Sequence, residues 1–269
     1  MMEDSVMSVN GFESFLRYFN VPSACKLDKP IFKKMLLDTN TLDAADKKAL
    51  KDDVDKIRWL YTLKPNTINI SSYKDEEREY PEIAIMHIQL SEVKRQDRIA
   101  NLFNKAIPYP LVLFFTYTND DQEQLSISLV EKRTNLANQD KWVLEQAIHT
   151  AWILLSERNA NIDQMAFINN FKCDNLPFTN FWGFYQALMA KMVALLCAEY
   201  TGSFAFKEGD DNESHENRRN KLLSLKAFEE ELNKIRNQLK KEVRMNEKMR
   251  LNVEASKLKK SIALLITQL

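Results

Sequence analysis

A carboxylate on one strand followed by a Glu-x-Lys on the next can hold Mg²⁺ and orient water for cleavage of a nucleic-acid backbone. The middle of this 269-residue chain carries part of that pattern, because Glu82, Asp121, Glu123, Glu131 and Lys132 lie on or beside runs that read as strands. The pattern is incomplete. Glu131 and Lys132 are adjacent, so on one strand they point to opposite faces and do not share a site. His87, His149 and His215 are far apart in sequence, and none has a Cys, His or carboxylate at metal-ligand spacing. No Ser, Cys or Lys sits in a motif for nucleophilic catalysis. Gly11, Gly183, Gly202 and Gly209 are too scattered to build a phosphate-cradling or dinucleotide loop. The sequence therefore nominates no catalytic residue, metal ligand or cofactor, and a metal-dependent nuclease stands only as the alternative to a binding role.

The other chemistry on offer is attraction for phosphate. Residues 216–269 contain 14 Lys or Arg and 7 Asp or Glu, about +7, so the preceding residues carry about −7 and the neutral total is a cancellation. Lys240, Lys241, Arg244, Lys248 and Arg250 crowd one section of this tail and are candidate nucleic-acid contacts of a salt-dependent, sequence-blind kind. Lys33 and Lys34, beside Phe32 and near Lys29, form a second candidate patch with an aromatic ring available for stacking. The competing reading is bland: a solvated helix face with ion pairs in the tail, and a short basic surface patch around Phe32.

The element that must position the tail cations is a long helix. Residues 216–269 contain neither Gly nor Pro, and apolar residues recur every seven positions at Leu225, Leu232, Leu239 and Val253, with Asn246 in the same phase and Phe228, Ile235 and Met249 three further on. This heptad spacing predicts a coiled-coil helix over 218–269 that self-associates into a parallel or antiparallel homo-oligomer through Leu225, Phe228, Leu232, Ile235, Leu239, Asn246, Met249 and Val253. Glu242 falls at an apolar position, and the stripe resumes out of phase at Ile262, Leu265 and Leu269, which predicts a skip in register. The acidic segment 207–217 reads as a linker, and residues 1–206 as one globular domain.

Within that domain the expected architecture is α+β: a small mixed sheet with a β-α-β-β core packed by helices. FESFLRYF is an amphipathic helix, Ile31 to Leu37 a short helix or extended arm, and Asp43 to Tyr61 a helix capped at Thr41 or Asp43 and stopped by Pro65. Thr67 to Ile70 opens a strand, and Tyr73 to Tyr80 is a solvated loop. Glu82 to Leu90 alternates as a strand, with Ile83, Ile85 and His87 on one face and Ala84, Met86 and Ile88 on the other. Glu92 to Ala106 has helical spacing, and Ile107-Pro108-Tyr109-Pro110 ends it because proline lacks the backbone donor. Leu111 to Thr118 and Gln124 to Lys132 form a hairpin about Asn119-Asp120-Asp121. Trp142 to Ile153 fits a strand better than a helix, and Asn161 to Phe171 and Asn180 to Tyr200 are helices.

Cys25, Cys173 and Cys197 are few and scattered, as reduced core thiols are. The amino terminus lacks a basic segment followed by an apolar run, and Leu176 to Ala198 is interrupted by Lys191, so a cytoplasmic protein without a membrane partner is expected.

Four stretches carry a family likeness: KxxFKKMLL at Lys29 to Leu37, WLYTLKPNTINI at Trp59 to Ile70, NKAIPYPLVLFF at Asn104 to Phe115, and KKEVRMNEKMRLNVEASKLKK at Lys240 to Lys260. Together, and in this order, they resemble the bacterial family of domains of unknown function DUF4391. The resemblance implies an accessory role in a restriction-like phage-defence system, beside a helicase or DNA methyltransferase partner. It brings no catalytic motif to place on these residues. The combined expectation is a non-catalytic scaffold that self-associates through its tail, docks such a partner and holds DNA electrostatically, with a stand-alone nucleic-acid-binding protein as a further alternative.

Overall fold

In the computed structural model of the protein, the described residues are 10–38, 42–135, 138–156, 161–206 and 212–269. The elements run α1 (Phe12–Phe19), β1 (Lys26–Pro30), α2 (Lys33–Leu37), α3 (Ala44–Asp52), β2 (Val54–Leu63), α4 (Pro65–Ile68), β3 (Tyr73–Lys74), β4 (Glu79–Tyr80), β5 (Ile83–Leu90), α5 (Gln96–Ala106) and β6 (Leu111–Asn119). They continue β7 (Gln122–Leu129), β8 (Lys132–Asn135), β9 (Asn138–Leu144), β10 (Ile148–His149), β11 (Ile153–Leu154), α6 (Ile162–Asn170), α7 (Phe181–Thr201), α8 (Asn212–Lys241) and α9 (Met245–Ile266).

The β-α-β-β core expected from the sequence is present as β5-α5-β6-β7. Strands β5 and β6 are parallel, which requires a crossover, and α5 supplies it. Every other pairing in the mixed sheet, ordered β1-β2-β5-β6-β7-β10 with β11 also on β7, is antiparallel. The β6–β7 hairpin turns at Asp120 and Asp121, both at positive φ (48° and 59°), the geometry a tight two-residue hairpin needs and one that Asp tolerates.

Alternation along β5 sorts the two sides of the sheet as expected. Ala84, Met86, Ile88 and Leu90, with Leu111, Leu113 and Phe115, pack with Leu50 of α3 and Ile99, Leu102 and Phe103 of α5. On the opposite face His87 stacks on Phe12 at 4.0 Å, and Phe114 meets Phe15 and Phe19 edge-on at 5.3 and 5.5 Å. Phe19 in turn stacks on Phe171, just past α6, at 5.3 Å. The core thus has a helical layer on each side of the sheet.

Several local expectations are corrected. The helix predicted from Asp43 to Tyr61 stops at Asp52, with Asp43 capping it by accepting from the Asp46 N–H at 2.7 Å, and the rest becomes β2. Trp59 and Tyr61 carry strand propensity, and β2 lies between β1 and β5, so ladders on both sides outweigh the local helical pattern. Thr67 to Ile70, expected as a strand, opens with the last residues of the short α4, which has Pro65 at its start. The loop expected at Tyr73 to Tyr80 is closed by the small β3–β4 ladder. The segment around Trp142 to Ile153 is extended, as expected, but divided among β9, β10 and β11.

Two compact units divide the chain between Met192 and Val193, inside α7. The sequence had instead placed the boundary in the acidic 207–217 segment; residues 207–211 lie outside the described residues, and 212–217 form the start of α8. Helix α7 is long and apolar enough to cross a membrane by length and composition, yet 78% of that window is buried within the protein. It is a core helix, and it falls where Asn180 to Tyr200 was expected as a helix. Lys191 within it is 1% exposed and donates to the Asn170 carbonyl at 3.0 Å.

Candidate functional site

The tail is not one helix. α8 and α9 are separated by Glu242, Val243 and Arg244, and they pack on each other. Leu232, Ile235 and Leu239 of α8 meet Leu251, Ala255, Leu258 and Ile262 of α9, while the Lys221 ammonium donates to the Gln268 carbonyl at 3.2 Å near the far ends. Residues early in α8 thus meet residues late in α9, so the pair is an antiparallel hairpin. The turn falls at the sequence position where the heptads fail. Glu242, a carboxylate at an apolar position, leaves the stripe and accepts the N–H groups of Val243 (3.0 Å) and Arg244 (2.9 Å), besides Arg244 Nε (3.2 Å). The Arg244 guanidinium and these N–H groups hold the Glu242 carboxyl down to about 2.

This arrangement splits the proposed oligomerisation residues. Leu225, Leu232 and Ile235 are buried, and Phe228 and Leu239 are half-buried, in an intrachain setting. The single long coiled-coil helix gives way to a hairpin in which Leu232, Ile235 and Leu239 of the stripe pack on α9. Asn246, Met249 and Val253 face outward instead, Met249 at 61% and Val253 at 57% exposure. Folding back contributes about 25 cal/mol for each Å² of apolar surface covered.

Of the candidate phosphate contacts, Lys240, Lys241, Arg244 and Arg250 are exposed and Lys248 is half-buried, clustered about the hairpin turn. Arg250 pairs with Glu247 at 2.9 Å, one helical turn away. Lys33 is tied to the Lys51 carbonyl at 3.2 Å, whereas Lys34 is exposed near Phe32, itself 69% exposed.

The carboxylates of the nuclease alternative are not assembled. Glu82 lies 3.7 Å from the Lys64 ammonium, and Asp121 is in the β6–β7 turn. Glu123 accepts the Phe12 N–H at 2.7 Å, placing its charge at the amino end of α1, where the helix dipole favours it. Glu131 bonds Arg78 at 3.3 Å, and lies eight residues further along an extended chain, roughly 26 Å away at ~3.3 Å per residue. Lys132 is fully buried, its ammonium donating to the carbonyls of Asn104 (3.0 Å), Ile107 (2.6 Å) and Tyr109 (2.7 Å). It therefore binds the end of α5 and the proline turn, and burial pushes its pKa down to about 7. Among the described residues no three His, Cys, Asp or Glu side chains gather in a group able to hold a metal ion.

The remaining reactive side chains are also engaged. His87 is buried with Nε2 at 2.7 Å from Thr116 Oγ1, and desolvation, aided by Arg58 and Lys56, pushes its pKa down to about 3, so it is neutral. His149 Nε2 lies 3.1 Å from Asp97, and His215 stacks on Phe206 at 5.8 Å. All three cysteines are free and buried, and burial raises the Cys173 thiol to about 12, far from a reactive thiolate. A cleft of about 330 Å³ beside α1 is lined by Glu13, Arg17, Lys26, Asp28, Arg58 and Tyr61 among others. Its central cation is neutralised from its own walls: Arg58 donates to Asp28 through Nε (3.1 Å) and Nη2 (2.6 Å), and to Glu13 through Nη1 (2.9 Å). Those bonds fasten α1, β1 and β2 together. The sequence did not single out Arg58, Asp28 or Glu13, since residues so far apart meet only through sheet pairing.

A family model described as "Domain of unknown function (DUF4391)" matches residues 19–262. No curated protein and no solved structure matches the chain.

Proposed function

The chain belongs to the DUF4391 family, and from that premise we propose that it is a non-catalytic accessory subunit of a DNA-directed assembly, attached to its partner through the α8–α9 hairpin. The observation that carries this reading is the contrast between the two units. In the sheet unit Glu123, Glu131, Lys132, His87 and Arg58 are each held in bonds that join elements of the fold. In the hairpin Lys240 and Lys241 are exposed with no ion pair among the described residues, and Arg244 and Arg250 are exposed while paired only with Glu242 and Glu247 of the hairpin itself. The DNA-directed setting, with a helicase or DNA methyltransferase as the partner, comes from the family resemblance.

The test is incubation of the purified chain with DNA and Mg²⁺ or Mn²⁺, alongside copurification with a coexpressed helicase or methyltransferase. Stable coelution without cleavage is expected. Metal-dependent cleavage lost in Glu82→Gln or Glu131→Gln would overturn the reading in favour of a nuclease.

A second reading is favoured by the exposure of the turn cations: direct, sequence-blind retention of DNA by the hairpin. It predicts affinity that falls steeply with salt and shrinks when Arg244, Lys248 and Arg250 become Ala; a flat salt response would end it.

A further inference from the structure

We propose that the outward face of α9, seamed by Met245, Met249 and Val253, docks an acidic amphipathic helix of a partner protein; this names the partner class for the accessory reading above and rests on it.

Helix α9 divides its circumference between an inner and an outer apolar stripe. Its inner stripe, Leu251, Ala255, Leu258 and Ile262, is used against α8. At about 100° per residue, Met245, Met249 and Val253 follow one another at four-residue spacing on the opposite side. Their exposures are 70%, 61% and 57%, in a helix whose inner residues Leu251 and Ala255 are 5% and 7% exposed. The hairpin covers the inner stripe and leaves the outer seam exposed.

The charges are sorted about the same axis. On the helical wheel Lys259 borders the outer seam on one side, with Lys248 between it and the inner stripe; Arg250 and Lys257 lie beyond Asn246 on the other side, and Lys260 lies in line with the seam further along. Glu247 and Glu254 lie away from the seam, beside the inner stripe, and both are half-buried. Arg250 is paired with Glu247, but Lys248, Lys257, Lys259 and Lys260 have no ion pair among the described residues. The outer face is thus a short apolar line with Lys248 and Lys259 toward one side and Arg250 and Lys257 toward the other.

That pattern selects its occupant. A second copy of α9 would bring like charges against like, which opposes association. A nucleic acid would use the cations but leave Met249 and Val253 beside phosphates without an apolar partner. An anionic membrane surface suits a broader apolar face rich in aromatic residues and leucine, and Lys260 interrupts this one. A helix with apolar side chains at i, i+4 and i+7 and Asp or Glu on both flanks satisfies the seam and the cations together, as facing helices do in coiled coils.

The experiment uses the full chain and a fluorescently labelled synthetic helix with Leu at its seam positions and Glu on both flanks, read by anisotropy. A scrambled peptide of the same composition, a DNA duplex and phosphatidylserine vesicles serve as competitors. Expected are binding of the patterned peptide over the scrambled one, weakening with salt, and at least about tenfold loss in the double variant Met249→Glu, Val253→Glu. Both positions are exposed, so unchanged helical circular dichroism is expected and checks the fold. Absence of peptide binding, binding indifferent to the double variant, or stronger displacement by DNA or vesicles than by unlabelled peptide would overturn the docking face. Metal-dependent DNA cleavage by the same preparation would instead overturn the accessory reading and leave the peptide result standing.

Discussion

Replacing Leu232 by Ala tests whether the heptad stripe is used within the chain or between chains. Leu232 is 5% exposed and belongs to the cluster that joins α8 to α9. Leu-to-Ala changes in well-packed cores cost ~2–5 kcal/mol. The hairpin seam is narrow, with Leu232, Ile235, Leu251 and Ala255 buried and Leu239, Leu258 and Ile262 partly so, which places the expected loss toward the lower end, ~2–3 kcal/mol. The assay is urea unfolding followed by circular dichroism at two protein concentrations about tenfold apart. If the stripe closes an intrachain hairpin, the midpoint of the wild-type chain is the same at both concentrations, and Leu232→Ala lowers it equally at both. If the stripe instead joined two chains, a tenfold rise in concentration would add ~1.4 kcal/mol to the apparent stability. A concentration-dependent midpoint that disappears in Leu232→Ala would refute the intrachain assignment and restore self-association through Leu225, Leu232 and Ile235.

Three further outcomes are expected. His87 is neutral in the fold with its pKa down at about 3, while in the unfolded chain it protonates near its ordinary ~6.5; its contribution is complete above that value and is lost as pH falls toward 3. His87→Gln should therefore reduce the dependence of unfolding free energy on pH between those limits by up to ~1.4 kcal/mol per unit, and an unchanged slope would contradict the buried neutral ring. Lys132→Met leaves the Asn104, Ile107 and Tyr109 carbonyls without their shared donor while relieving the burial of the ammonium, for a net loss of ~2–4 kcal/mol in chemical denaturation; a variant as stable as wild type would show that the ammonium bonds only offset the cost of burying it. Because the Lys132 pKa is pushed down to about 7 on folding, the native state binds fewer protons than the unfolded chain between that value and ~10.4, so its burial penalty lifts as pH rises through this window. Lys132→Met should remove that rise, as paired denaturation curves at neutral and alkaline pH would reveal.

Elements whose signal is local were legible in the residues alone. Alternation fixed the two faces of β5, since side-chain direction reverses at each residue of a strand, and the prolines at 108 and 110 ended α5 because neither can donate a helical hydrogen bond. The Asp120-Asp121 turn and the helical character of α7 were legible for the same reason. Tertiary structure decided what depends on partners distant in sequence. Residues 54–63 became a strand because β1 and β5 complete its ladders, and Arg58 gained its role only when sheet pairing brought Asp28 and Glu13 to it. The tail shows the division most clearly. Heptad spacing specified that Leu225, Leu232 and Ile235 would be covered, and the misplaced Glu242 marked the break, but an apolar stripe has no information about whether its cover comes from the same chain or another. Three residues of turn made the same-chain encounter geometrically available, and α9 covered α8 while its own opposite face, with Met249 and Val253, was left outward.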